Sequence, residues 1–262
     1  MSSVSKIRAQ ASRWYHLARN FRAGLAFGKR LPATQLPVTP ATPGVLEEYF
    51  DEHRTGPGLW KWRHYFPVYE RHFSRFVGTE VHIVEIGVHS GGSLRMWKEY
   101  FGENVHLYGI DLRPEIHAYE DANTRVFVGD QSDPALWERF LREVPEFDII
   151  IDDGGHMAHQ QIATLEALLP HLRPGGVYLC EDVISGFHAF HGYIDGLARN
   201  LHATGPGDEE QGRQPTNFQR AVDSIHLYPY VVVIEKRSEA LDQMIAEKHG
   251  TEWQPFGHKH LL

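Results

Sequence analysis

The chain is poor in cysteine, in long apolar runs and, at its beginning, in acid. One cysteine, Cys180, stands in 262 residues, which excludes an internal disulfide framework and fits a reducing compartment. It lies in an apolar strand-like pattern and reads as a small core residue. The longest apolar runs, such as Val231–Ile234, fall far short of the roughly 20 residues a membrane span needs, and no signal-peptide core is visible. A net charge of −8 argues against general nucleic-acid binding. Residues 1–30 contain no acid at all, only Lys6, Arg8, Arg13, Arg19, Arg22, Lys29 and Arg30.

What is present begins with that basic segment. Ile7, Ala11, Trp14, Ala18, Phe21 and Leu25 alternate four and three apart and share one helix face. A basic amphipathic helix packs on protein, lies on an anionic membrane surface or serves as a transit segment; packing is the plainer reading. Leu31–Gly44, LPATQLPVTPATPG, reads as an extended linker. The expected organisation is therefore an appendage over 1–44 and one domain over 45–262.

Val81–Asp111 is the most informative stretch. The apolar run Ile83-Val84-Glu85-Ile86 breaks at Gly87, and Ser90-Gly91-Gly92-Ser93 opens a helical pattern through Leu94, Met96, Trp97, Tyr100 and Phe101. Val105–Ile110 then ends on Asp111. Strand, glycine loop, helix, strand and acid form the unit that binds nucleotides at strand ends in an open α/β sheet, the acid taking ribose hydroxyls. The spacing departs from G-x-G-x-x-G, and Glu85 would repel a pyrophosphate but suits an ammonium group. Ribose plus ammonium describes S-adenosylmethionine (SAM). E-I-G-V-x-x-G-G-S followed by G-I-D resembles the first two motifs of class I SAM-dependent methyltransferases. That resemblance implies a Rossmann-like α/β fold, a mainly parallel sheet flanked by helices, here with an N-terminal helical extension.

Further strands are expected at Arg125–Val128, Phe147–Ile151, Val177–Cys180 and Tyr230–Glu235, with a helix near Phe218–Ile225. Alternating strand and helix patterns imply parallel pairing. Ser132-Asp133-Pro134 reads as a helix cap. The candidate cofactor set is Glu85, Gly87, Ser90, Gly91, Ser93, Asp111, Gly129, Asp130, Gln131 and Asp152, with Asp130 or Gln131 placed near the adenine by the resemblance.

Two strand ends carry the chemistry: Asp152, Asp153 and His156 on one, Glu181 and Asp182 on the next. Carboxylates crowded at one crevice repel each other unless a cation neutralises them, and an all-oxygen set suits Mg²⁺. His156 and His159 offer a transition-metal alternative, but H-M-A-H lacks the usual zinc spacing. Helix capping is the bland alternative for Asp152 and Asp153. D-D-G-G-H, E-D and H-Y-F-P-V-Y-E-R-H-F (His64–Phe73) together resemble the metal-dependent sugar O-methyltransferases of macrolide biosynthesis and the related rhamnosyl O-methyltransferase and cephalosporin hydroxylase-like proteins. The resemblance covers about 56–236. It implies Asp153, Glu181 and Asp182 as metal ligands and His156 as general base, so that Asp153 and His156 carry the catalysis. Gly155, where a serine is common, and the loop Ser185–Pro215 depart from the pattern.

The expected reaction is SAM- and Mg²⁺-dependent (or Mn²⁺-dependent) methylation of a sugar hydroxyl on a glycoside, oligosaccharide, glycolipid or glycosylated natural product. A catechol or other vicinal diol as acceptor, or a non-catalytic SAM-binding protein, are the alternatives; the histidine-based triad of an iron oxygenase is not evident. Trp62, Tyr65, Phe187, His188, His191 and Tyr193 are candidate sugar contacts, the last four in a lid-like insertion over 184–215, where a helix from Tyr193 to Leu201 is the plainer reading. A homo-oligomer and a cytoplasmic location, peripheral at the inner membrane surface if residues 1–30 dock there, complete the expectations.

Overall fold

A computed structural model describes residues 3–32, 42–208, 212–247 and 249. The chain divides into two compact units, Met1–Thr42 and Pro43–Leu262. The first contains helix α1 (Ser3–Gly28), on which Ala11, Trp14, Ala18, Phe21 and Leu25 fall on one face. Most of the proline-rich linker, 33–41, and part of the expected loop tip, 209–211, lie outside the described residues. Among those described, no helix is long and apolar enough to cross a membrane.

The second unit is built on a seven-stranded sheet. In chain order its elements are α2 (Val45–Glu52), α3 (Phe66–Phe73), β1 (Val81–Ile86), α4 (Gly92–Phe101), β2 (Val105–Asp111), β3 (Thr124–Val128), α5 (Pro134–Glu143), β4 (Phe147–Asp152), α6 (Ala158–Leu168), β5 (Leu172–Cys180), α7 (Ala189–Leu201), the two-residue strands β6 (Gly207–Asp208) and β7 (Gly212–Arg213), α8 (Asn217–Ala221), β8 (Val222–Tyr228) and β9 (Val231–Lys236). The strand order is β3-β2-β1-β4-β5-β9-β8. The first five pair in parallel; β9 and β8 close the edge antiparallel. The order reverses between β1 and β4, and ligands bind outside the strand ends at such a switch point.

Strand parity decides which side chains meet. Ile83, Ile149, Ile151, Val177, Leu179, Val231 and Val233 pack with Phe66, Tyr69, Phe73 and Trp97 of α3 and α4. Val84, Ile150, Tyr178, Cys180, Val232 and Ile234 pack on the other face with Trp137, Phe140, Leu165 and Phe190 of α5, α6 and α7. Both faces are covered, as a parallel sheet requires, and Cys180 is a buried free thiol of the second core. Glu85, Asp153 and Glu181 continue the odd parity, which directs them toward α3 and α4.

One element differs from the sequence reading. The helix expected near Phe218–Ile225 ends at Ala221, capped by Thr216 through Gln219 N. Val222–Tyr228 is instead a strand that forms a hairpin with β9. It is an edge strand with only Val222 fully buried, so its apolar alternation is too weak to stand out from a short helical run. Asp133 caps α5 by accepting from Ala135 N, with Pro134 at the first helical position.

Candidate active site

At the carboxyl ends of β1, β2, β4 and β5 lies a pocket of about 520 Å³, within the size range of small-molecule sites. Gly87 (φ +90°) turns the chain out of β1, and a Cβ there would stand 2.0 Å from the Asp153 carbonyl oxygen. Only glycine lets these two strand-end loops cross so closely. Gly92, at the start of α4, faces the Gly58 carbonyl, where a Cβ would approach to 2.3 Å. That contact seats the segment Gly58–Trp62 as a wall of the pocket.

One half of the pocket carries the nucleotide-type features. Asp111 accepts from His89 N through Oδ2 at 2.9 Å and from Arg113 N through Oδ1 at 3.1 Å. Both oxygens are thus fixed while retaining lone pairs for ribose hydroxyls. Ser90, Ser93, Gly129, Asp130 and Gln131 also line this region. Glu85 lies under the floor, 1% exposed, and neither carboxylate oxygen has a hydrogen-bond partner among the described residues. Burial pushes it up to about 7, against the pull of Lys61 and of the Ser93 hydroxyl and Trp97 indole N–H, which lie near it without making a well-formed hydrogen bond. A buried, unpartnered carboxylate is costly unless a cationic group completes it, so the residues present fit the ammonium of SAM.

Two expected cofactor residues, Asp152 and Gly91, do not line the pocket, and Gln131, which does, is held in a network. Gln131 spends its amide on Asp152 Oδ1 (3.0 Å) and Thr164 Oγ1 (2.9 Å), and its carbonyl oxygen accepts from Gly155 N at 2.7 Å. It braces the loop after β4, and its carbonyl oxygen keeps a second lone pair. Asp152 is its partner, buried on the α5–α7 side and held up at about 6 by burial; it does not line the pocket. Gly91 is the left-handed cap residue of α4 (φ +73°), a turn role. Asp130 lines the pocket, but Ser132 N and Oγ both donate to its Oδ1 at 2.8 Å, which holds its carboxyl below the usual range.

The other half gathers the acids. Oδ1 of Asp153 lies 4.0 Å from His156 Nε2, and Oδ2 of Asp182 lies 3.8 Å from the same nitrogen. Ligand atoms of these three residues all lie within 4.8 Å of one another, a set that fits one divalent cation with water completing its shell. His156 (φ +56°) and Asp182 (φ +54°) both adopt left-handed backbone conformations. Such strain persists where the surroundings over-determine it, as at functional sites. Glu181 departs from the expected geometry. It is buried, accepts from Tyr69 OH at 2.7 Å, and both its oxygens take the Lys61 ammonium at 2.9–3.0 Å. Lys61 also donates to Asp153 Oδ2 at 2.5 Å. Burial alone would lower the lysine; the Asp153, Glu181 and Glu85 charges outweigh it and raise it, so it stays charged. Burial and the Asp153 charge push Glu181 up, opposed by Lys61 and Tyr69.

Of the candidate sugar contacts, Trp62 and Tyr65 line the pocket. Tyr65 is buried and donates to Asp182 Oδ1 at 2.6 Å, so it serves the acids. The four in the insertion do not line it. Phe187 is 85% exposed, Tyr193 donates to Glu166, and His191 packs edge-on to His188. His188 caps α7 and pairs with the His156 carbonyl oxygen at 2.9 Å, reaching the site through backbone. Lys61 and Tyr69, from the aromatic segment 56–73, are site residues that the candidate set above does not include.

The sheet order, the glycine turn and the strand-end acids define a class I methyltransferase fold. Residues 84–183 match the methyltransferase domain family. Over 200 residues the chain is 37% identical to demethylmacrocin O-methyltransferase of Streptomyces fradiae, which covers 68% of this chain and 50% of the relative. It is 35% identical over 196 residues to mycinamicin VI 2''-O-methyltransferase of Micromonospora griseorubida (66% and 48% covered). The solved MycE methyltransferase in complex with Mg, SAH and mycinamycin VI superposes with a TM-score of 0.59 at 29% identity, over 73% of this chain and 52% of that one. The chain spans about half the length of the curated relatives it matches.

Proposed function

We propose that the chain is a SAM- and Mg²⁺-dependent O-methyltransferase acting on a sugar hydroxyl of a glycosylated small molecule. The observation that carries this reading is the convergence of Asp153, His156 and Asp182 in the same pocket as the Gly87 turn and Asp111. Related enzymes named for methylating macrolide and rhamnosyl sugars, and MycE crystallised with Mg and SAH, support the choice of donor, metal and acceptor class.

In this reading SAM supplies the methyl group and the cation, when bound, stabilises a developing alkoxide by charge. The chain's residues do the rest. Glu85 takes the ammonium and Asp111 the ribose diol. Asp153 and Asp182 hold the cation, with Glu181 behind them. His156 Nε2 faces the acids from the pocket side and receives the hydroxyl proton as general base. The Gly58–Trp62 wall excludes water and orients the acceptor, which supplies a further share of the rate. The test is a mass gain of one methyl on a panel of glycosides, dependent on SAM and abolished by EDTA. Methylation of catechols but not of glycosides would replace the sugar with another vicinal diol.

For residues 1–30 we propose docking rather than catalysis. The unit is cationic and acid-free while the remainder carries about −15, so an anionic membrane surface or the acidic body of a second copy is the partner its charge fits. Sedimentation with anionic vesicles and light scattering of the protein alone separate the two.

A further inference from the structure

Lys61, Tyr65 and Tyr69 form a stripe of donors aimed at the acid cluster. Lys61 reaches Asp153 Oδ2 and both oxygens of Glu181, Tyr65 reaches Asp182 Oδ1, and Tyr69 reaches Glu181 Oε1. Each acid thereby has oxygen committed to the stripe. The oxygens left facing His156 are Asp153 Oδ1 and Asp182 Oδ2. Lys61 is the only charged member, and its side chain is 3% exposed. A buried ammonium is retained only where paired charge compensates its desolvation, and here Asp153 and Glu181 supply it.

We propose that Lys61 is a built-in competitor for the divalent cation: its ammonium and the cation draw on the same carboxylates, Asp153 and Glu181, and the cation gains Glu181 only as Lys61 gives it up. The proposal rests on the cation-dependent reading above and names a positioning residue that reading did not need. Two consequences follow from the geometry. Without the cation, Lys61 keeps the buried acids neutralised and the strand ends in place. With it, Lys61 must re-aim, and because it sits between Trp60 and Trp62 in the pocket wall, loading of the cation is felt where the acceptor would lie. Trp62 packs edge-on against Tyr230 at 5.7 Å.

The test is Mn²⁺ binding to the full chain, read by electron paramagnetic resonance, with melting temperature measured in EDTA and in Mg²⁺. Lys61→Gln keeps a donor for Glu181 and removes the charge; Lys61→Met removes both. Both variants are expected to bind Mn²⁺ about ten-fold or more tightly than the wild type, since one unit charge a few ångström away is worth at least that at the effective dielectric of a protein site. The rise in melting temperature on adding Mg²⁺ should also be larger in Lys61→Gln than in the wild type. Tyr65→Phe, which removes a hydrogen bond from Asp182 without changing charge, should not tighten binding. A folded Lys61→Gln that binds Mn²⁺ equally or more weakly overturns the competition. A wild type that binds SAM by calorimetry but neither Mn²⁺ nor Mg²⁺ at millimolar concentration overturns the cation reading itself, and the competition with it.

Discussion

His156 Nε2 stands 4.0 Å from Asp153 Oδ1 and is carried three residues further along the same loop, on a left-handed backbone turn. The distance exceeds a hydrogen bond and leaves the imidazole and the carboxylate facing a common space rather than each other. Asp182 reaches that space from the neighbouring strand end, while its other oxygen is tied back to Tyr65. In the proposed reaction, a base and two cation ligands arranged this way would act on one hydroxyl from two sides.

That arrangement separates the roles. His156→Ala should cut turnover by about 10²–10⁴-fold, the usual size of a general-base contribution, while Mn²⁺ and SAM affinities stay within a few-fold of wild type. Raising the pH should restore part of the rate, because solvent base then substitutes. Asp153→Ala should weaken Mn²⁺ binding and gain nothing from high pH. Loss of Mn²⁺ affinity in His156→Ala equal to that in Asp153→Ala would recast the imidazole as a ligand.

Asp111 makes two hydrogen bonds with backbone N–H groups, so it is held in place before any ligand arrives. Asp111→Ala should weaken SAM binding by about 1.5–3 kcal/mol, the worth of a charged acceptor, measured by calorimetry. NAD should not bind either form. Unchanged SAM affinity in Asp111→Ala would remove this residue from the ribose.

Much of this site was legible because strand ends and glycine turns write themselves into short motifs: Glu85-Ile-Gly87, Gly109-Ile-Asp111 and Asp152-Asp153-Gly154-Gly155-His156 each end an apolar run. Lys61 was not, for a physical reason. Its four-residue spacing to Tyr65 and Tyr69 crosses an extended stretch, a 3-10 turn and the start of α3, so no single helix period aligns the three. The network that Gln131 makes with Asp152, Thr164 and Gly155 was equally hidden, because its partners lie far apart in the chain. Strand β8 hid because an edge strand with little burial lacks a clean period of two.

The basic unit gives a prediction independent of the chemistry. If α1 docks on membranes, deleting residues 1–30 should abolish sedimentation with anionic vesicles and leave turnover of soluble glycosides intact. The binding should also weaken between low and physiological salt, because surface attraction is screened within about 8 Å at 0.15 M. If α1 docks on a second copy, the deletion should lower the oligomeric state seen by light scattering instead. Absence of vesicle binding by the full chain at low salt ends the membrane assignment.

Glu85 sets the pH dependence of the cofactor step. Burial holds its carboxyl at about 7, so below that pH it is neutral and cannot pair with the ammonium of SAM. SAM affinity should therefore rise as pH increases from about 6 to 8 and flatten above. The stability of the ligand-free chain should move the other way. A carboxyl whose folded-state pKa is raised contributes stability that is present below its unfolded value, near 4.5, and is lost as pH rises through about 7. Saturating SAM should offset that loss, because the ligand completes the buried charge. In Glu85→Gln both slopes should disappear together, with weaker SAM binding at pH 8 and a melting temperature less sensitive to pH. Calorimetry across this range decides the point: a SAM affinity in the wild type that stays flat from pH 6 to 8 would show that Glu85 does not receive the ammonium.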